Sequence, residues 1–216
     1  MQEKKLILRQ MEIGPMENFI YFIGDGVTKE VVVVDPAWDV DAIVRAAERE
    51  DLKITGAFVT HTHFDHVNGI ESLLNRFDIP VYVHTAEAEF LSGAASHLRK
   101  VESGAKLTIG SIETEFIHTP GHTPGSQCFY VESHHLISGD TLFIRGCGRC
   151  DLPGGDPEQM YNSLTQKLMK LPDETILYPG HNYAEKVTST MGDERRENPF
   201  LQSTSLHHFL RYRMGK

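Results

Sequence analysis

Thr60–Gly69 reads THTHFDHVNG and follows Ala57–Thr60, a short apolar run that the pattern predicts as a buried strand. In an extended segment, residues two apart share a face, so His61 and His63 project together from the strand's end. Asp65 and His66 lie where the chain turns into a helix, expected over His66–Phe77 with Ile70, Leu73, Leu74 and Phe77 at helical spacing. They can reach back toward the same point. Nitrogen and oxygen donors packed this densely are the composition a divalent metal requires. A polar loop with satisfied histidines accounts for one such His, but poorly for HxHxDH directly after a strand.

Three more residues follow the same logic, each at a strand end beside Gly or a turn. They are His122 in TPGHTPGS, Asp140 in SGDTLF and His181 in YPGHNY. Loops at sheet edges are where sites are built, and a glycine beside a ligand lets backbone approach closely. The chain holds 12 histidines, and the others lack this context. His84, His97, His118, His134, His135, His207 and His208 are therefore read as structural or solvated.

Around this centre, strand-like and helix-like segments alternate. Strands are expected at Lys5–Met11, Asn18–Gly24, Val31–Asp35 and Val81–His84. A second block follows: Lys106–Ile109, Ile112–His118, Gln127–Val131, His135–Ser138 and Thr175–Tyr178. Helices are expected from Asp39 or Asp41 to Arg49, after a Thr85 cap, and from Asp156-Pro157 to about Leu171. Two more are expected at Ala184–Thr190 and Thr204–Tyr212. Two β-rich blocks, each with helices, predict an α/β fold: a four-layer αββα sandwich formed by residues 1–216 as one domain, with 204–216 a short C-terminal helix. A doubly wound parallel sheet is the structural alternative.

The composition narrows the function classes. Hydrophobic content of 40%, charged content of 24% and a formal net charge of -9 describe a soluble globular chain without the basic surface that nucleic acid requires. MQEKKLILRQM contains no apolar export region, and no run approaches the roughly 20 apolar residues of a membrane span. The expectation is a cytoplasmic protein, monomer or homodimer, without nucleic-acid or membrane partners. Three cysteines do not make a disulfide framework.

The ordered set His61, His63, Asp65, His66, His122, Asp140 and His181 resembles the metallo-β-lactamase superfamily. The resemblance spans Thr60 to Tyr183 and implies the αββα fold with a metal centre in a cleft at one edge of the sheets. It implies that His61, His63 and His122 form one metal site, that Asp65, His66 and His181 form a second, and that Asp140 bridges them. Two divalent ions are expected, zinc first, with iron or a mixed pair as alternatives. Within the superfamily, flavodiiron proteins carry Glu where this chain has His63. Secreted β-lactamases need an export signal, and nucleases need a surface for a polyanion.

The chain looks most like glyoxalase II-type thioester hydrolases and their relatives, the persulfide dioxygenases. GDTLFIRGCGR and YPGHNY resemble segments of both, and CGRCDLPGGDPEQMYNSL resembles small zinc-dependent hydrolases of polyketide gene clusters. By that resemblance Arg149 and Tyr183 would contact the thiol carrier of a small-molecule or carrier-bound thioester, and Asp65 would also orient the nucleophile. Only 35 residues follow His181, whereas full glyoxalase II has a longer helical region completing its glutathione site. Glutathione and another carrier thiol both stay open. In the dioxygenase reading His61, His122 and Asp140 would hold a single iron. Hydrolysis is favoured because the Asp140–Asp151 segment departs from the dioxygenase pattern at Cys150. A metal-binding module without catalysis is the third class.

Cys147 and Cys150 form a CxxC in a Gly-rich turn rather than at a helix N-terminus, which argues for packing over redox chemistry. Arg145 is expected to pair with an acid such as Asp151 and has no catalytic assignment.

Overall fold

The computed structural model describes residues 5–215; residues 1–4 and 216 of the expected domain lie outside the described residues. The first sheet contains β1 (Leu6–Ile13), β2 (Asn18–Asp25), β3 (Glu30–Val34), β4 (Lys53–Phe58), β5 (Val81–His84) and β6 (Leu98–Val101), in that order. The second half begins with β7 (Lys106–Ile109), β8 (Ile112–His118), β9 (Gln127–Val131) and β10 (His135–Gly139). A small hairpin, β11 (Leu142–Phe143) with β12 (Gly146–Cys147), precedes β13 (Ile176–Pro179) and β14 (Ser189–Thr190). The second sheet has the order β14-β13-β10-β9-β8-β7.

Side-chain alternation explains how the layers stack. In β2, Phe19, Tyr21 and Ile23 face one way while Ile20 and Phe22 face the other, and all five are buried. A strand buried on both faces reads as a continuous apolar run, as do β2 and β3. Phe19, Tyr21, Ile23, Val32, Val34 and Phe58 meet Ile112, Phe116, Phe129, Val131 and Ile137 of the second sheet in one inner core. The opposite faces bury Ile20, Phe22, Val31 and Val33 under α1 (Val40–Arg49) and its neighbours. On the other side Cys128, Leu136 and Leu177 pack under later helices. The four layers are helix, sheet, sheet, helix, as expected; the doubly wound alternative fails because two separate sheets share the inner core.

The helices differ more from expectation. His66–Phe77 is not one helix but α2 (Phe64–Val67) and α3 (Ile70–Leu74). The break falls at Asn68-Gly69, which docks on the loop before α1. Asn68 Oδ1 accepts from Trp38 N at 2.6 Å. A Cβ on Gly69 would lie 2.7 Å from Pro36 O. After β5 the chain takes a 3-10 course over Thr85–Ala94, capped by His84 rather than Thr85. Strand β6 follows it without having been expected. The segment from Asp156 does run to Leu171, as α4 (Pro157–Asn162), a wider turn over Ser163–Lys167 and a 3-10 turn over Leu168–Lys170. Ala184–Thr190 is not helical; it ends in β14, and helix α5 (Met191–Glu197) comes after it.

The last helix, α6 (Leu206–Met214), starts two residues later than expected and ends at Gly215 in the left-handed region. It packs through fully buried Phe209 against Phe200 and Tyr161. Its Arg213 Nε donates to Gly148 O at 3.0 Å.

Candidate metal centre

In parallel pairs both strands finish at the same edge, and β3–β4 and β10–β13 are parallel. The ends of β3, β4, β10 and β13 therefore deliver Asp35, His61, Asp140 and His181 to one edge. Cross-sheet bonds hold the two edges together. Phe19 N donates to Gly180 O at 2.8 Å, and Gln127 N to Thr60 O at 2.9 Å. The β8–β9 connection contributes His122.

All seven expected ligands converge. Three groups have ligand atoms within 4.8 Å of one another: His61, His63 and His122; His61, His66 and Asp140; Asp65, His66 and His181. Asp140 lies between the outer groups. Its Oδ1 is 3.3 Å from His66 Nε2 and 3.4 Å from His181 Nε2, and its Oδ2 is 3.5 Å from His122 Nε2. Glycine makes this approach feasible, because a Cβ on Gly180 would lie 2.4 Å from Asp140 Oδ1.

The outward-facing nitrogens define the tautomers. His66 Nδ1 donates to Asp35 Oδ2 at 2.9 Å. His122 Nδ1 donates to Arg149 O at 2.7 Å, and His181 Nδ1 to Met16 O at 2.8 Å. Thr60 gives its hydroxyl proton to Asp35 Oδ2 at 2.6 Å, so it accepts from His61 Nδ1 at 3.0 Å. When neutral, each of these rings aims an Nε2 lone pair inward, the state metal ligation requires. His66 Nε2 and His181 Nε2 stand 3.2 Å apart, and His61 Nε2 and His63 Nδ1 3.1 Å apart. Among the described residues, His122 Nε2 and Asp140 Oδ1 are buried with no hydrogen-bond partner. Inward lone pairs and orphaned acceptors around one carboxylate are unfavourable without a cation among them. The donor set fits divalent metal.

Electrostatics agrees. Burial, then the neighbouring imidazoles, pushes His61 well below the usual histidine range, and burial lowers His63. Burial also opposes charge on His66, but Asp140 and Asp35 outweigh it and raise that pKa. Burial works against ionised Asp140, yet His66, His181 and His61 hold its carboxyl well below the ordinary range.

Several residues that hold the site lie outside the sequence motifs. Asp35 sits in the left-handed region at φ 49° and also accepts from Thr60 N at 2.7 Å. Asn18 donates to Asp65 Oδ2 at 2.9 Å and accepts from Trp38 Nε1 at 2.8 Å. The only advance signal was an acid ending the apolar run Val31–Val34 before Pro36.

Tyr183 stacks on His181, with ring centroids 4.6 Å apart and planes 8° from parallel. Arg149 contributes its carbonyl to His122, while its guanidinium engages Asp151 through Nε–Oδ1 at 3.0 Å and Nη2–Oδ2 at 2.8 Å. Arg145 does not pair with Asp151. A left-handed residue at φ 55° in the β11–β12 turn, it reaches Glu197 of α5 at 2.9 Å instead. Cys147 and Cys150 are buried free thiols, the latter pushed up to about 11 by burial.

A two-sheet sandwich with a His/Asp cluster for divalent metal at one edge defines a metal-dependent class of protein. Residues 13–181 match the model of the metallo-beta-lactamase superfamily, and the chain belongs to that superfamily. It is 34% identical over 199 residues to the probable polyketide biosynthesis zinc-dependent hydrolase BaeB of Bacillus velezensis, covering 92% of this chain and 88% of that one. It is 35% identical over 198 residues to the mitochondrial persulfide dioxygenase ETHE1 of Homo sapiens, covering 91% of this chain and 76% of that one. The crystal structure of ETHE1 from Myxococcus xanthus superposes with a TM-score of 0.85 at 33% identity, covering 94% of this chain and 88% of that one. Among the described residues no helix is long and apolar enough to cross a membrane.

Proposed function

We propose that the protein is a binuclear metal-dependent hydrolase of thioesters carried by glutathione or another thiol. The observation that carries this reading is the position of Asp140, shared between one group of three histidines and a second group of Asp65, His66 and His181. Two divalent ions bound there, zinc in the first instance, would supply Lewis acidity, lowering the pKa of a water and polarising a carbonyl. Asp65 Oδ2, which accepts from Asn18 Nδ2 at 2.9 Å, is also the oxygen that faces His66 and His181, 3.4 Å from each Nε2; with metal bound there Asp65 would orient the attacking water. The leaving thiolate has a parent pKa of about 8.5, so no strong general acid is needed. Similarity to a probable zinc-dependent hydrolase supports hydrolysis.

Tyr183 and Arg149 are proposed to hold the thiol carrier. Burial, then Asp140 and Asp65, pushes the Tyr183 phenol up to about 12, so it remains a hydrogen-bond donor at neutral pH. It borders a cleft of about 510 Å³ also lined by Arg145, Lys186 and the acids Glu185, Asp193, Glu194 and Glu197. Arg149 would meet an anionic carrier by exchanging Asp151 for it.

A second reading has a specific observation behind it. His61, His122 and Asp140 lie together, with His61 and His122 ring centroids 4.8 Å apart, and the chain resembles a persulfide dioxygenase. The deciding experiment is metal analysis paired with turnover of a glutathione thioester, an acyl-carrier thioester and a glutathione persulfide. The expected result is two ions per chain and thioester hydrolysis without oxygen uptake. One iron per chain with oxygen consumed on the persulfide establishes the second reading instead. In the same assays Arg149→Ala should raise KM for the preferred thioester several-fold at unchanged kcat; an unchanged KM removes its carrier role.

A further inference from the structure

Glu87 lies outside every ligand motif, in the 3-10 segment after β5, yet it is only 1% exposed. An acid is buried this completely only where donors meet it, and both of its oxygens are used. Oε1 accepts from Gly125 N at 2.8 Å. Oε2 accepts from Thr62 N at 3.0 Å and from the Thr62 hydroxyl. Thr62 stands between His61 and His63, and Gly125 lies three residues after His122. A Cβ on Gly125 would lie 2.4 Å from Glu87 Cγ, so only glycine there lets the acid come this close.

The three ligands of the all-histidine group come from two chain segments, 61–63 and 122, and one carboxylate ties both. Asp65, His66 and His181 are held by other groups: Asn18, Asp35 and the Met16 carbonyl. We propose that Glu87 is a positioning residue that sets the spacing between His61–His63 and His122, and so governs metal affinity at that group alone. The proposal rests on the metal-binding reading of the cluster but not on which reaction the protein performs.

Glutamine tests it at nearly constant volume. Its carbonyl can serve one loop, but its NH2 must face the N–H of the other, so one tie is lost. The full chain is stripped of metal and titrated with cobalt against a competing chelator, with His63→Ala and Asp65→Asn assigning the two binding steps. Glu87→Gln should weaken the His61/His63/His122 step about 10–100-fold, the usual cost of losing an outer hydrogen-bond partner of a metal site. The other step should be unchanged, and the cobalt spectrum of the weakened site should shift.

Should Glu87→Gln fail to fold, Gly125→Ala displaces the same carboxylate from the opposite side and should give the same one-sided loss. Equal weakening of both steps, or no change in either, would overturn the proposal. A wild-type chain that takes up no cobalt at all would overturn the metal reading and this proposal together.

Discussion

Asp35 is the residue on which the second ligand group turns. One oxygen holds Thr60 N, and the other receives both the Thr60 hydroxyl and His66 Nδ1. Through Thr60 it also sets the tautomer of His61. Whichever way the amide turns, Asp35→Asn sets its NH2 against at least one donor, Thr60 N or the Thr60 hydroxyl with His66 Nδ1, and removes the charge that His66 Nδ1 meets. Metal affinity is expected to fall about 10–100-fold, measured as zinc retained against a chelator, while equal retention would show that Asp35 only supports the fold. The candidate ligands His61, His63, Asp65 and His66 were legible in sequence because their spacing is short. Asp35 and Glu87 were not, because the groups they hold lie 25 residues or more away along the chain. The arginines show the same limit. Proximity in sequence suggested Asp151 for Arg145, but the turn geometry gives Asp151 to Arg149 and sends Arg145 to α5.

An apolar stripe made α1 legible, and the lack of one hid β6 and α5. Helix α1 buries Val40, Ile43, Val44 and Ala47, a regular stripe, and Asp39 caps it by accepting from Ala42 N at 2.8 Å. Strand β6, Leu98–Val101, has no fully buried residue and two exposed basic ones, so nothing in its pattern separates it from a loop. Helix α5 was hidden by its charge. Glu194, in MGDERRE, is 1% exposed and accepts from Arg145 N, the Ser189 hydroxyl and Asn198 Nδ2. Thr190 caps that helix by accepting from Asp193 N at 3.1 Å. The break between α2 and α3 has a similar origin: helical spacing continues through it, but Gly69 is pressed onto Pro36 by the packing of another segment.

The two sheets are also tied together away from the site. Asp25, at the end of β2, accepts from Val27 N, Ser111 N and the Ser111 hydroxyl, each at 2.7 Å, and Ser111 lies in the β7–β8 turn. Those bonds, Val27 first, hold its carboxyl below the usual range. A carboxyl depressed in the folded state stabilises above its unfolded pKa of about 3.9. That contribution disappears as pH falls through the lower folded value. Asp25→Asn should therefore melt below wild type at pH 7, by about 1–3 kcal/mol for the donors left without their acceptor. The gap should narrow toward pH 3, measured on metal-free protein; a gap independent of pH would mean that the charge of Asp25 contributes nothing.

By itself the sequence determined the strands buried on both faces, hence two sheets with helices outside, and the seven His and Asp side chains that converge at one sheet edge. These are encoded locally, in periods of two and 3.6 residues and in the identity of side chains at strand ends. Only the tertiary structure decided which nitrogen of each histidine faces inward, which buried acids hold the ligand loops, and which acid each arginine meets. Those choices depend on which strand ends abut at the shared edge, and on donors that meet there from segments as far apart as Met16 and His181.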